Sequence, residues 1–451
     1  MLRCCARRKI LDWRASGTNL SRRLSSGVTP ITPVEKIIID GIKATGPISL
    51  ATYMQLCLSH PTYGYYMNSK NPIFGPQGDF VTSPEISGVF GELLGVWLAA
   101  QWMSTSPRLP IRVVELGPGR GTLMADVLRV VAQFAGQQLK AVHLVETSAT
   151  LRALQDTRLA PSAEKYGCTV EWHDSVEQIA KTEAEYTMVL AHEFFDALPV
   201  HSIQRTDQGW QEVLVALAES DPTPEPESKP HPRLRYILSP HPTAASTLLG
   251  LSSPRFRHTP VGGRVEVSPV GFKTMRKVGE LLCPTPDIKT SHGCGLIVDY
   301  GGPRAFAESF RAFKNHAIAD PFTTPGECDL TANVDFSYLR EAVADLGLRT
   351  HGPLPQAAFL ERMGLGVRVE SLISRVFFSS ASASASEGQG DRAAALRSAA
   401  QRLVDPAGMG SEYTVLGIGG EPAPEGVVWP FVEEDSQSAE DGETEEKAGG
   451  I

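Results

Sequence analysis

The chain of 451 residues has no run of 18 apolar residues, so nothing in it reads as a membrane-spanning helix. It has no C-x-x-C spacing; its seven cysteines, at 4, 5, 57, 168, 283, 294 and 328, are scattered. That gives no support for a zinc site or a thioredoxin motif, and no metal is expected. Two cysteines fall in the first 24 residues, leaving five, an odd number that reads as reduced thiols and core filler. A basic excess is lacking too. The formal net charge of -9 disfavours a general nucleic-acid binder. Internal repeats are not evident, and no long apolar segment near the start suggests secretion.

What is present centres on Val113-Val-Glu-Leu-Gly-Pro-Gly-Arg-Gly121. Two β-branched residues suit the end of a buried parallel strand. Gly117, Gly119 and Gly121 let the backbone turn and approach a ligand with no Cβ in the way. Helical spacing resumes from Thr122, with apolar residues at 123, 124, 127, 128 and 131. Strand, glycine turn and helix make the first unit of a doubly wound α/β fold. The loop is not the dinucleotide pattern G-x-G-x-x-G. It reads E-x-G-x-G-x-G, and Glu115 beside it suits a cationic, phosphate-free cofactor such as S-adenosylmethionine (SAM). Pro118 and Thr122 complete the loop.

Three further strands follow. Ala141–Glu146 ends in an acid placed to accept both ribose hydroxyls. Cys168–Trp172 runs into His173-Asp174, where a side chain can reach the adenine amine. Tyr186–Ala191 runs into His192-Glu193-Phe194-Phe195-Asp196. Functional groups at the carboxyl ends of successive strands are what an open α/β sheet predicts. The cofactor-binding candidates are Glu115, Gly117, Pro118, Gly119, Gly121, Thr122, Glu146, Asp174 and His192.

Residues 1–30 carry Arg3, Arg7, Arg8, Lys9, Arg14, Arg22 and Arg23 against the single acid Asp12, the composition of a mitochondrial transit peptide, expected over 1–24 with cleavage after Leu24. Residues 33–105 read as a helical cap: two helices split at Gly46-Pro47, with Ser49 capping the second, then an aromatic turn at 60–66 and a helix over Glu85–Met103. The cofactor-binding core spans 111–204. An antiparallel, β-rich insertion spans 205–290. Residues 291–420 return to the core, with a strand at Gly295–Gly302, a loop from Pro321 to Phe336, a helix from Ser337 and a flexible linker at 379–392. The acidic tail, 432–451, reads as disordered.

Several segments resemble the MidA family of SAM-dependent methyltransferases: His60-Pro-Thr-Tyr-Gly-Tyr-Tyr66, Gly78–Ser87, Phe90–Trp97, Glu115–Leu123, His192–His201, Val298–Gly302 and Cys328–Phe336. The blocks at 78–97 and 192–201 are the specific ones. The resemblance is greatest to the mitochondrial branch of protein arginine methyltransferases that assist respiratory complex I assembly. Bacterial members usually have Asn where His192 stands and His where Asn333 stands. The resemblance implies a Rossmann-like SAM-dependent methyltransferase core in the mitochondrial matrix. It also implies symmetric dimethylation of an arginine on the 49-kDa peripheral-arm subunit of complex I.

Methyl transfer needs nucleophile, carbon and sulfur in line, with water excluded. A guanidinium is a poor nucleophile because its lone pairs are delocalised. A carboxylate that holds it bidentately draws positive charge to the far nitrogens and frees the remaining one. Acids at the mouth of the crevice are therefore sought: Glu193 first, Glu85 second, Asp79 behind it. Asp196 reads as a turn cap. His192 and His201 could bear on proton removal, and Asp299-Tyr300 closes the substrate side. The alternatives are methylation of a small molecule or RNA, a SAM-binding assembly chaperone without catalysis, and a nicotinamide-dependent oxidoreductase. The missing G-x-x-G spacing counts against the last.

Overall fold

The computed structural model describes residues 30–68, 82–219, 232–283, 292–378, 389–419 and 428–432. The expected transit peptide, Asp79, residues 379–388 of the linker and the acidic tail beyond 432 lie outside the described residues. From Ile31 on, the described residues belong to one compact unit.

Thr32 and Glu35 form a capping box, and Pro33 opens helix α1 (Pro33–Thr45). A two-residue strand, β1 (Ile48–Ser49), follows. Ser49 caps α2 (Leu50–Ser59), as its spacing predicts. The single helix expected over Glu85–Met103 is two helices: α3 (Ser83–Ile86) and α4 (Gly88–Thr105). The break is Ser87, extended at φ -156, whose side chain accepts the Val89 N–H and caps α4.

The core then alternates strand and helix: β2 (Ile111–Leu116), α5 (Thr122–Ala135), β3 (Leu139–Val145), α6 (Ala149–Tyr166), β4 (Thr169–His173) and β5 (Tyr186–His192). The strands run parallel in the order β4-β3-β2-β5. Every residue of β2 and β5 is buried, as in a sheet covered on both faces. Helices α4 and α5 lie against each other across small residues. A Cβ on Gly91 would sit 2.7 Å from Asp126 Cβ, and one on Gly95 3.0 Å from Val130 Cβ.

Strands β6 (His201–Thr206), β7 (Gly209–Leu217), β8 (Leu234–Leu238) and β9 (Arg264–Val267), with helix α7 (Ala244–Gly250), form the expected antiparallel part. The sheet order is β1-β7-β6-β9, and β8 also pairs with β7. This part stops at Val267 rather than near 290. Helix α8 (Pro269–Leu282) buries Met275, Val278, Leu281 and Leu282 with Val114, Val189 and Ile297 of the main sheet. Its three-and-four spacing makes it the crossover helix from β5 to β10 (Gly293–Gly302).

Beyond β10, strands β11 (Arg311–Lys314), β12 (Ala317–Ala319) and β13 (Asp329–Thr331) form a small antiparallel sheet. The loop expected over 321–336 thus contains β13 and also β14 (Val334–Asp335), which pairs with β10. Non-local pairing builds both, so no local periodicity announces them. The chain ends its described course with α9 (Phe336–Val343), β15 (Thr350–Pro355), α10 (Gln356–Arg362), α11 (Leu365–Phe378), α12 (Gln389–Leu403), α13 (Met409–Glu412) and β16 (Tyr413–Gly419). Residues 389–392, expected as linker, are the first turn of α12, where Asp391 favours the helix N-terminus. Strand β16 lies antiparallel between β10 and β15 and completes the order β15-β16-β10-β5-β2-β3-β4.

Candidate active site

The carboxyl ends of β2, β3, β4 and β5 open on a cavity of about 490 Å³. The glycine loop forms one wall. Gly117, Gly119 and Gly121 all take positive φ (64, 52 and 76), a backbone that L side chains rarely adopt. A Cβ on Gly117 would lie 2.8 Å from the Phe194 ring. The cradle is therefore closed to any side chain at 117 for two reasons. Gly121 starts α5 but does not itself line the cavity.

Of the other cofactor candidates, Glu115, Pro118, Thr122, Glu146, Asp174 and His192 all line it. Glu115 is buried, and burial pushes its carboxyl up to about 8. Its Oε2 has no hydrogen-bond partner. Such an orphan is costly unless a ligand donor meets it. Glu146 Oε1 accepts the Ser148 N–H at 2.7 Å, and Oε2 accepts from Gln155 at 3.3 Å. Each oxygen keeps a lone pair for a further donor. Asp174 is exposed and takes Arg152 at 2.5 Å on Oδ1. His173 is not part of the lining; its Nε2 lies 3.0 Å from His143 Nδ1.

His192 Nε2 is a second orphan. Burial lowers the ring's pKa to about 3, so the imidazole is neutral. It stacks on Tyr413 and meets the edge of Phe90.

Glu193 leaves β5 with φ 49, a left-handed backbone. The turn it starts aims the N–H groups of Phe194, Phe195 and Asp196 at Asp299 Oδ2, at 3.2, 2.8 and 3.3 Å. Asp299 is fully buried and off the cavity wall. The expectation that it closes the substrate side is corrected: a nest of N–H groups holds it as the anchor of the turn. Tyr300 does reach the cavity. His201 does not; its Nδ1 lies 2.8 Å from Glu212 Oε1 in the antiparallel sheet.

The Glu193 carboxylate accepts the Tyr413 hydroxyl, and the Tyr300 hydroxyl lies 2.7 Å from Tyr413. Burial raises Glu193 to about 8 against the help of Tyr413, and the charges of Asp196 and Asp329 add to the rise. Asp196 reaches the Ala197 N–H, as a turn cap should, but it is also buried and lines the cavity. Burial raises it to about 7, with Arg311 opposing. Asp329 completes the acidic corner and accepts the Tyr66 hydroxyl at 2.8 Å. Glu85 lines the cavity and accepts the Thr122 hydroxyl. Asn333 Oδ1 takes Arg311 at 2.6 Å.

The sequence assigns no role to Gln155, Asp329, Tyr66 or Tyr413, although Tyr66 and Asp329 fall within segments that carry the family resemblance. Gln155 is buried; its Nε2 donates to the Gly119 carbonyl at 2.8 Å, and its Oε1 accepts the Trp172 indole at 2.8 Å. One amide thus ties the glycine loop, Glu146 and β4 together. Its only sequence signal is a polar residue on the inward stripe of α6.

A parallel sheet of this order, with a carboxylate-flanked glycine loop and an acid ending the next strand, defines the class of nucleoside-cofactor methyltransferases. Residues 93–354 match the family described as "Putative S-adenosyl-L-methionine-dependent methyltransferase", and the chain belongs to that family. SAM is its cofactor, and the orphaned Glu115 oxygen, Glu146 and the closed glycine cradle fit it. The chain is similar to zebrafish (Danio rerio) "Protein arginine methyltransferase NDUFAF7, mitochondrial", 39% identical over 357 residues, 75% of this chain and 78% of that one. The human protein of the same name is 36% identical over 392 residues, 82% of each chain. A Drosophila melanogaster homologue is 37% identical over 394 residues, 84% of this chain and 82% of that one. A Burkholderia thailandensis crystal structure bound to S-adenosyl-homocysteine shares the fold: TM-score 0.67, 24% identity, 87% of this chain and 95% of that one.

Proposed function

We propose that this methyltransferase acts on protein arginine in the mitochondrial matrix. Its target, on this reading, is the 49-kDa peripheral-arm subunit of complex I, dimethylated symmetrically in support of complex I assembly. The names of the relatives support arginine and mitochondria; the subunit and the symmetry come from the family resemblance of the sequence.

The observation that carries the arginine reading is the acidic corner of Glu193, Asp196 and Asp329 beside the glycine loop. Glu193 and Asp196 resist ionisation there chiefly because they are buried, and at Glu193 the charges of Asp196 and Asp329 add to the rise. An incoming guanidinium reverses that penalty, since an opposite charge within reach favours the carboxylate. Bound SAM supplies an electrophilic sulfonium methyl. Glu193, held by Tyr413, takes two guanidinium N–H groups and concentrates positive charge on that side. The third nitrogen is left richer in electrons. Tyr66, Tyr300 and Phe194 line the cavity around it and leave less room for water there. Glu85, steered by the Thr122 hydroxyl, is the second acid of this reading. Asp79 is the third-ranked acid of the same proposal.

The test separates binding from transfer. Glu193→Gln should keep SAM affinity within about twofold and cut transfer to arginine peptides ~10²-fold or more. Wild-type transfer rates in that variant would remove the clamp role. Incubating the protein with labelled SAM and purified complex I intermediates, then fragmenting the modified peptide, reads the subunit and the symmetry. An unmodified 49-kDa subunit would overturn that part.

A further inference from the structure

A second cavity of about 570 Å³ adjoins the first, and Tyr300 lines both. Its character is opposite. Arg304, Arg311 and Arg402 line it, against the single acid Glu412. Among the described residues, neither Arg304 nor Arg402 is held in an ion pair; Arg304 lies 4.5 Å from the centroid of the Phe306 ring. Arg311 stands on the shared wall, 5.6 Å from the Tyr300 ring centroid, and its charge reaches Asp196 in the first cavity.

We infer that this groove docks the segment flanking the target residue, and that it selects acidic residues, Asp or Glu, close to the target arginine. The inference rests on the arginine reading of the acidic cavity and deepens it. A guanidinium in the acidic corner leaves its own chain to pass Tyr300. Successive Cα atoms are about 3.8 Å apart, so the residues entering the groove are those within a few positions of the target. Carboxylates there meet two unpaired guanidinium groups that can hold them bidentately. Lysine or arginine there meets like charge. The pair of cavities thus reads an alternating pattern, cation in one and anion beside it, which a chain of one charge sign cannot satisfy.

The full-length protein with saturating SAM is titrated with three fluorescent peptides by anisotropy. Each has one arginine, flanked on both sides by Glu, by Ala or by Lys. The acidic peptide should bind at least ~10-fold tighter than the lysine peptide at low salt, with the gap shrinking as salt rises. The double variant R304E/R402E should reverse the order while SAM affinity stays unchanged. Equal binding of all three peptides by the wild type, or an order unmoved in the double variant, overturns the inference. Methyl transfer is read on the same peptides. If the flank preference holds and no peptide is methylated on arginine, the arginine reading fails while the groove stands. If arginine is methylated at equal efficiency in all three, the groove fails while that reading stands.

Discussion

At Glu193 the left-handed backbone costs a non-glycine residue roughly 1–2 kcal/mol. Strain of this kind persists where surrounding contacts over-determine it, here the Val298 carbonyl and the Asp299 nest. The acid's raised pKa has two measurable consequences. Between an unfolded value of about 4.5 and a folded value of about 8, the native state carries a proton that the unfolded chain has lost. Stability therefore falls as pH rises through that window. Glu193→Gln removes this slope, so the variant should lose less melting temperature than wild type between about pH 5 and about pH 9. An unchanged slope would place the proton elsewhere. If the ionised form holds the guanidinium, kcat/KM should climb with pH towards the free enzyme's value near 8. Gln155 invites a separate measurement. Gln155→Ala orphans the Gly119 carbonyl and loosens Glu146. A loss of ~1–2 kcal/mol should appear as roughly tenfold weaker SAM binding by calorimetry, with transfer at saturating SAM little changed.

The residues legible in the sequence were those whose signal is local. The glycines, Glu115 and Glu146 each stand at a strand end, and chain order alone places them on one crevice. Tyr413 touches Glu193 from 220 positions away, and Asp329 meets Tyr66 across 263. Sheet order brings such pairs together, and no period in the sequence encodes it.

At the scale of elements, helix α4 shows how spacing sets the site. Its glycines at 91 and 95 let α5 approach, and α3, just before it, carries Glu85 to Thr122 at the first turn of α5. Gly95→Leu should separate the two helices, costing ~1–3 kcal/mol of overpacking. A lowered melting point with weaker transfer is expected, and an unaffected melting point would show that the helices have slack. Elements were also where sequence reading failed. Ser87 breaks a helix whose apolar pattern runs straight through, and α8 hides its crossover role inside a stretch otherwise rich in strands. Both depend on what packs opposite, which composition does not state.

For the whole molecule, the linkage between cofactor and fold is the broadest check. SAM at 100 times its Kd should stabilise the protein by about 2.7 kcal/mol, and NAD at the same concentration should shift the melting point hardly at all. A shift by NAD and none by SAM would contradict the crevice chemistry. The net charge of -9 conceals a sharper distribution: an acidic pocket and a basic groove share one tyrosine wall.

Strand β16 slots between β10 and β15, both made before it, and it carries Tyr413 to Glu193. During synthesis, then, a nascent chain owns its glycine loop and Glu193 long before the hydroxyl that Glu193 accepts emerges from the ribosome. If Glu193 is the clamp, a chain that ends before this strand lacks the partner that orients it, however complete its cofactor loop.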